Sequence, residues 1–232
     1  MSTQGGSISI GNKMMSRVFT GTVTDNQWNT LASSNSSVNL GLEMPNAVVD
    51  FIQATYQAGG AIYRIKDTKT NRISRYGFAN KLGFTCAKSS MLYSPLQIKN
   101  SDILQIYPIV VNGTSAKTNA LAMVYTSGGA EPFGKLTIAD TTDTELVSLA
   151  ESGEMSLGDF AFGTVLKKVC IQLQDGATLN SVTIVDSTGG TVMTQLGGVR
   201  QAVGENSGLY NIEFNCQIPI QKGWKLKVNT TK

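Results

Sequence analysis

Three acidic residues stand close together at Asp140, Asp143 and Glu145, in the stretch IADTTDTE. Paired carboxylates can serve as acid and base in glycoside hydrolysis, and carboxylate oxygens also suit Ca²⁺. The spacing does not match an EF-hand loop, which needs a glycine at its turn. The same acids suit the first turn of a short helix, where the helix dipole favours negative charge. The sequence favours this structural role over catalysis.

The 232-residue chain contains no histidine. A Ser-His-Asp or Cys-His nucleophile and a His-ligated zinc or haem are therefore excluded. Cys86, Cys170 and Cys216 lie in apolar, strand-like stretches without metal-ligand spacing, which predicts buried thiols. The Gly-Gly pairs occur without a Walker or dinucleotide-binding motif. We therefore expect no enzymatic activity, no metal and no cofactor.

The most basic stretch is YRIKDTKTNRISRYGF, residues 63–78, in which Asp67 is the only acid. Seven basic residues and one acid lie between positions 64 and 88, whereas the whole chain has a net charge of only +3. The basicity is therefore regional, which indicates a contact surface. The candidate contact residues are Arg64, Lys66, Lys69, Arg72 and Arg75.

We expect residues 60–66 and 72–78 to pair as antiparallel strands around a turn at 67–71, with a basic strip on one face. Three interpretations of this strip stay open. It can be an edge hairpin whose charges prevent unwanted strand pairing, a subunit interface that meets acidic loops of a neighbouring copy, or a track for a phosphate backbone. The strip is too short for a dedicated nucleic-acid module, so we treat it as a contact surface.

Alternating apolar residues punctuated by Gly and Asn dominate the chain, and they predict an all-β fold. We expect an antiparallel β-sandwich, specifically a jelly roll. The chain would form either a single jelly roll or two small barrels, with at most one or two short helices. A capping box predicts a helix at 142–152, and 44–60 reads as either helix or strand. Asn112-Gly113 and Asp175-Gly176 predict two hairpins. The offset between the two similar segments that contain these pairs is much smaller than half the chain length. We therefore interpret them as one hairpin pattern used twice and not as a repeat.

The domain organisation follows from composition. Residues 1–15 are polar and rich in Gly and Ser, which predicts an extended N-terminal arm that ties subunits together. Residues 16–232 form the β-sandwich unit, with a possible split into two sandwiches near 127–134, where Gly and Pro are frequent. No apolar run has the length of a signal peptide or of a transmembrane segment.

In these features the chain resembles the jelly-roll capsid proteins of icosahedral bacterial and archaeal viruses. The resemblance rests on the polar arm MSTQGGSISIGNK, on strands rich in Ser, Thr, Asn and Gln, and on the closely spaced pairs DILQIYPIVVNG…NALAMVYTSGG and VCIQLQDG…NSVTIVDSTGG. It implies assembly into a shell, an N-terminal arm ordered by neighbouring subunits, and no cofactor.

The sequence thus predicts a structural virion protein, located in the virion, whose subunits assemble into an icosahedral shell without catalysis. Its expected partners are copies of itself and other virion proteins, with weak contact to nucleic acid or lipid through the basic region at 64–88 and no small-molecule substrate. The alternative is a receptor-binding or carbohydrate-binding β-sandwich of adhesin type. In that alternative Trp28, in the polar stretch TDNQWNT, is the candidate ligand-binding aromatic residue.

Overall fold

The structure is a computed structural model, and it describes residues 2–10, 13–24, 26–56, 61–81, 91–108, 118–138, 140–149, 153–173, 177–196, 209–213 and 218–231. The chain divides into two compact units, unit 1 (Met1–Val110) and unit 2 (Val111–Lys232). The elements of unit 1 are β1 (Ser2–Ile10), β2 (Lys13–Gly21), β3 (Asn29–Ser33), α1 (Leu40–Glu43), β4 (Val48–Tyr56), β5 (Ala61–Asp67), β6 (Ile73–Lys81), β7 (Met91–Gln97) and β8 (Asp102–Pro108). Those of unit 2 are β9 (Thr118–Thr126), β10 (Gly129–Ile138), β11 (Thr144–Ser148), α2 (Leu157–Phe160), β12 (Leu166–Leu173), β13 (Thr178–Val185), β14 (Thr191–Leu196), β15 (Leu209–Glu213) and β16 (Lys225–Thr231). The expected all-β, mainly antiparallel fold of the sandwich class is confirmed.

Each unit is built on one eight-stranded sheet. In unit 1, hydrogen-bonded neighbours run β7-β4-β1-β2-β3-β8-β5-β6, and a short parallel pairing also joins β4 to β6. The run β4-β1-β2-β3 is a Greek key, because three consecutive strands lie side by side and the fourth returns to lie beside the first.

Unit 2 repeats this strand order, without a counterpart of the β4–β6 pairing among the described residues. Read from β15, its neighbours run β15-β12-β9-β10-β11-β16-β13-β14, which is the order of unit 1 with each strand number raised by eight. In each unit, the one helix found among the described residues also lies between the third and fourth strands. The chain therefore contains the same fold twice, with the second copy beginning near the middle of the chain. The prediction that the chain holds no repeat was wrong. It was based on the spacing between the segments around Asn112-Gly113 and Asp175-Gly176, whereas the repeat relates β1–β8 to β9–β16.

The connections that follow the two helices match in detail. In unit 1, Asn46 N–H donates to Ile98 O at 3.1 Å and Ile98 N–H donates to Ala47 O at 2.8 Å. In unit 2, Gly163 N–H donates to Ile220 O at 2.9 Å and Ile220 N–H donates to Thr164 O at 2.7 Å. Asn46 and Gly163 both have positive φ, at 62° and 76°. Equivalent backbone turns are thus encoded by different residue types, which hides the repeat from a reading of the sequence.

Each unit has its own hydrophobic core. The largest fully buried side chains include Phe19 and Leu31 in unit 1 and Phe133 and Leu146 in unit 2. Some strands are buried on both faces. All five side chains at 120–124 and all five at 61–65 are buried, and the wholly apolar segment 120–124 therefore shows no alternation of the kind that marks a half-exposed strand.

Two predicted boundaries were wrong. Residues 127–134 are not a linker, because they form the turn and the first half of β10 in the β9–β10 hairpin; the chain divides at 110/111 instead. Residues 1–15 are not an extended arm, because β1 lies between β2 and β4 and pairs with both. Polar side chains do not prevent this pairing, since backbone hydrogen bonds hold a central strand on both edges.

One further local prediction was also wrong. The expected helix at 142–152 contains strand β11, in which Leu146 faces the core and Glu145 pairs in register with Lys227 of β16; tertiary packing here overrides the local capping signal. The predicted hairpin turns at Asn112-Gly113 and Asp175-Gly176 lie outside the described residues.

Candidate functional site

The basic stretch forms the β5–β6 hairpin, as predicted. Arg64 lies opposite Tyr76, and Ile65 lies opposite Arg75. The turn is closed by Asp67 N–H, which donates to Arg72 O at 2.8 Å, and Asn71 adopts a positive φ of 56°. Asn tolerates this left-handed conformation better than most residues, which explains its place in the turn.

Arg64 is an internal residue of the fold. Its side chain is only 3% exposed, and its Nε donates to Gln105 Oε1 at 2.8 Å. Gln105 Nε2 in turn donates to Thr30 Oγ1 at 3.1 Å. Because Thr30, Gln105, Arg64 and Tyr76 are cross-strand partners, they form one row across β3, β8, β5 and β6. The prediction that Arg64 contacts a partner molecule was therefore wrong for the folded chain.

Trp28 covers the Arg64 guanidinium. The Arg64 Cζ lies 4.0 Å from the centroid of the Trp28 ring, a cation–π contact within the favourable range. The ring of Tyr107 meets Trp28 edge-on at 5.3 Å between centroids, and Tyr76 lies at 6.3 Å. One face of the indole is thus occupied by Arg64, so Trp28 does not offer that face to a sugar ring.

The other predicted basic residues do not form one strip. Lys69 and Arg72 are exposed at the end of the hairpin, and Lys66 is half-buried beside the row that holds Arg64. Arg75 is half-buried on the opposite face of the sheet, because it lies opposite Ile65, which faces the core. We call residues 68–72 the hairpin tip. Part of the predicted basic region, 82–90, lies outside the described residues.

A cluster of charged residues that the sequence did not indicate anchors the hairpin tip. Asp67 Oδ1 accepts from Lys69 N–H at 3.0 Å and from Ser101 Oγ at 2.8 Å, and its Oδ2 accepts from Lys99 Nζ at 3.2 Å. The Ser101 hydrogen bond, with those of Lys69 and Lys99, holds the pKa of Asp67 below its usual range.

Asp102 completes this cluster. It is the register partner of Asp67, it has no exposed surface, and its Oδ2 accepts from Lys99 N–H at 2.8 Å. Burial raises the pKa of Asp102, and the Asp67 charge raises it further. In the sequence, the signal for this pair is an acid at the end of β5 and another acid at the start of β8. These positions indicate a pair only when the register of β5 against β8 is known.

Unit 2 has an equivalent turn without the second acid. Asp186 Oδ1 accepts from Thr188 N–H, Thr188 Oγ1 and Gly190 N–H at 2.7–2.8 Å. These hydrogen bonds hold the pKa of Asp186 below its usual range. The segment before β16 that corresponds to Ser101 and Asp102 contains Gly223 and Trp224. The paired carboxylates are therefore specific to unit 1.

The acidic cluster at 140–145 does not converge on a common point. Asp143 Oδ1 accepts from Asn229 Nδ2 at 3.0 Å, Glu145 pairs with Lys225 at 3.2 Å, and Asp140 is exposed. Among the described residues, no group of three or more potential metal ligands occurs. The arrangement therefore gives no support to an acid–base pair or to a Ca²⁺ site at these acids.

The cysteine prediction is confirmed where the structure describes it. Cys170 is a buried thiol in β12, on the face opposite the core of unit 2. Cys86 and Cys216 lie outside the described residues.

Within the described ranges, no helix is long and apolar enough to cross a membrane. Comparisons of the chain with protein family models, with curated proteins and with solved structures found no match.

Proposed function

We propose that this protein is a structural subunit that assembles with copies of itself into a closed shell, as capsid subunits of icosahedral virions do, and that it has no catalytic activity. The observation that carries the proposal is the repeated connectivity of units 1 and 2. Two like units in one chain present two similar sets of loops and strand edges, so similar contacts can recur around each subunit. Heterologous contacts between identical copies generate rings and closed assemblies.

The fold of each unit supports a Greek-key β subunit. The described strands of each unit form one complete Greek key, β4-β1-β2-β3 or β12-β9-β10-β11, whereas a jelly roll has two, so we propose a Greek-key shell subunit and not specifically a jelly roll. Strand pairing of this kind gives a rigid body with its loops at the ends. Such a body suits a subunit that must keep its shape in a lattice.

Exposed apolar residues support contacts at corresponding places in the two units. Leu42 is 60% exposed in α1, and Phe162 is 63% exposed just after α2. Isolated exposed apolar residues are common on monomers. Here they occur at the same connection, between the third and fourth strands, in both units. We assign these two residues to subunit contacts, in which each buried side chain would contribute about 1.5–3 kcal/mol.

Assembly can be tested by light scattering of full-length protein as its concentration is raised. We expect Leu42→Ser and Phe162→Ser each to raise the concentration at which oligomers form, with little effect on the fold. Val18→Ser is a suitable control, since Val18 is also partly exposed but belongs to strand β2 and not to the segment between the third and fourth strands. If the Leu42 and Phe162 variants oligomerise at the same concentration as the wild type, these contacts are wrong.

A further inference from the structure

Asp67 and Asp102 place two carboxyl groups in one buried site. They face each other as register partners where β5 ends and β8 begins, and both are buried. The Cβ atoms of direct cross-strand partners lie about 4.5–5.5 Å apart. Both side chains point to the same face of the sheet, so the two carboxyl groups are close neighbours.

The hydrogen bonds of this pair leave one oxygen unsatisfied. Asp67 accepts three hydrogen bonds, from Lys69, Ser101 and Lys99. Asp102 accepts one on Oδ2, while its Oδ1 is buried without a hydrogen-bond partner. A buried carboxylate oxygen without a donor is costly. A proton on Oδ1 lowers that cost, because a neutral carboxyl group is less costly to bury than a carboxylate.

We propose that the Asp67–Asp102 pair holds one proton, on Oδ1 of Asp102, and that loss of this proton to solvent loosens the hairpin tip. Asp67 remains ionised throughout, because its three donors stabilise the anion. After deprotonation two carboxylates face each other in a buried site, and like charges at this distance repel. The raised pKa of Asp102, caused first by burial and then by Asp67, is in line with a retained proton.

The charges that act on the pKa of Asp102 are Asp67, which raises it, and Lys99, which lowers it. Lys99 places its ammonium group on Asp67 Oδ2, and its own side chain is 59% exposed. Lys69 and Arg72 are exposed on the tip. From β6, Arg75 lies opposite Ile65 and therefore faces the same side of the sheet as Asp67, which follows Ile65 by two residues in β5. From α1, which packs against β8, Glu43 is engaged by Arg17 at 3.0 Å and by Ser36.

The tip is the part of the fold that would respond. Thr68 donates through its N–H and its Oγ1 to Ser101 O, at 3.0 and 2.9 Å, and Asp67 binds Ser101 Oγ. Repulsion between Asp67 and Asp102 acts directly on these links between the tip and the start of β8. If the proposed shell function holds, this makes the presentation of Lys69 and Arg72 to neighbouring copies dependent on pH.

The direction of the pH dependence follows from the raised pKa of Asp102. The folded state then holds the proton more tightly than the unfolded state does, so stability decreases as pH rises from the ordinary Asp pKa, about 3.9, through the folded pKa. Asp67 has a lowered pKa, so its contribution changes only below the ordinary value. The two effects therefore occupy different pH ranges.

A variant that mimics the protonated acid isolates the effect. In Asp102→Asn, an uncharged amide replaces the protonated acid at every pH. We expect this variant to have a higher thermal midpoint than the wild type at pH 7 and an equal or lower one at pH 4, measured on dilute full-length chain below the concentration of assembly. Asp186→Asn, at the equivalent turn without a second acid, should show no gain at pH 7. A uniform loss of stability in Asp102→Asn across this range contradicts the proposal.

Wild-type protein gives an independent measurement should the variant fail to fold. Carboxyl-carbon NMR should place the Asp102 midpoint above about 3.9. Hydrogen exchange should show the Thr68 and Lys69 amides losing protection, by at most about tenfold per pH unit, as pH rises from about 3.9 to that midpoint, and no further loss above it, after correction for intrinsic exchange. A midpoint at or below the ordinary value, or unchanged protection, overturns the inference. Because every measurement uses the monomer, the result is separable from whether shells form.

Discussion

The guanidinium of Arg64 lies 4.0 Å from the ring centroid of Trp28, and the same side chain donates to Gln105 at 2.8 Å. Arg64→Lys keeps the positive charge but loses the planar group that stacks and donates. We expect a loss of about 1–3 kcal/mol in the free energy of unfolding, measured by urea denaturation. Lys69→Met at the exposed tip is the matched control and should change stability by less than about 0.5 kcal/mol. Equal effects of the two substitutions would show that Arg64 is not held as described.

The exposed charges of the hairpin tip should act on partners and not on the fold. Lys69→Gln combined with Arg72→Gln removes two positive charges at the positions that the structure leaves exposed. We expect a weaker salt dependence of assembly, with a thermal midpoint close to that of the wild type. Nucleic-acid binding by the monomer, measured at several salt concentrations, distinguishes the two partner classes. A salt-dependent affinity that the double variant loses would favour the phosphate interpretation.

Gly41 and Gly158 hold equivalent places in the two helices. A Cβ added to Gly41 would lie 2.4 Å from Lys99 O, and one added to Gly158 would lie 2.3 Å from Gln221 O. Both obstacles are backbone atoms in the segment before the last strand of the unit, so they cannot move aside easily. We expect Gly41→Ala and Gly158→Ala each to cost about 1–3 kcal/mol.

The control for these glycines is Gly128→Ala, where the nearest atom is a side-chain methyl of Thr164 at 3.0 Å. It should cost less than either helix variant in the same denaturation experiment. If only one of the two helix variants is destabilised, the two connections are not structurally equivalent.

Asp186 should make stability depend on pH in the acid range. Its pKa is lowered in the folded state by hydrogen bonds from Thr188 and Gly190. Its contribution is therefore present above the ordinary Asp pKa and is lost as pH falls through the lower folded value. We expect the difference in thermal midpoint between the wild type and Asp186→Asn to be constant from pH 5 to 7 and to shrink below about pH 4. A difference that does not change with pH would mean that the charge of Asp186 has no role.

The fold class and the β5–β6 hairpin were predictable from the sequence, because alternation and turn residues are local signals. Strands buried on both faces carry no such alternation. The pairing of 120–124 with 169–173 could therefore not be predicted from the pattern of apolar and polar residues. The local capping signal at Thr142 and Glu145 was also misleading, since the strand that overrides it, β16, lies about 80 residues further along the chain.

The candidate site was predictable only in part. The charge of residues 63–78 was visible, but which of its arginines is buried depended on Trp28 and Gln105, which come from other strands and loops. The Asp67–Asp102 pair depended on the register of β5 against β8. Contacts between residues far apart in the chain are set by topology, and the sequence shows no mark of them.

We have proposed that copies of this chain assemble into a closed shell. The decisive experiment is electron microscopy of the purified full-length protein over a range of concentration and ionic strength, with light scattering in parallel. We predict particles of uniform size that form above a threshold concentration and whose threshold rises in Leu42→Ser and Phe162→Ser. A monodisperse monomer under every condition, at high concentration as well as low, would contradict the account.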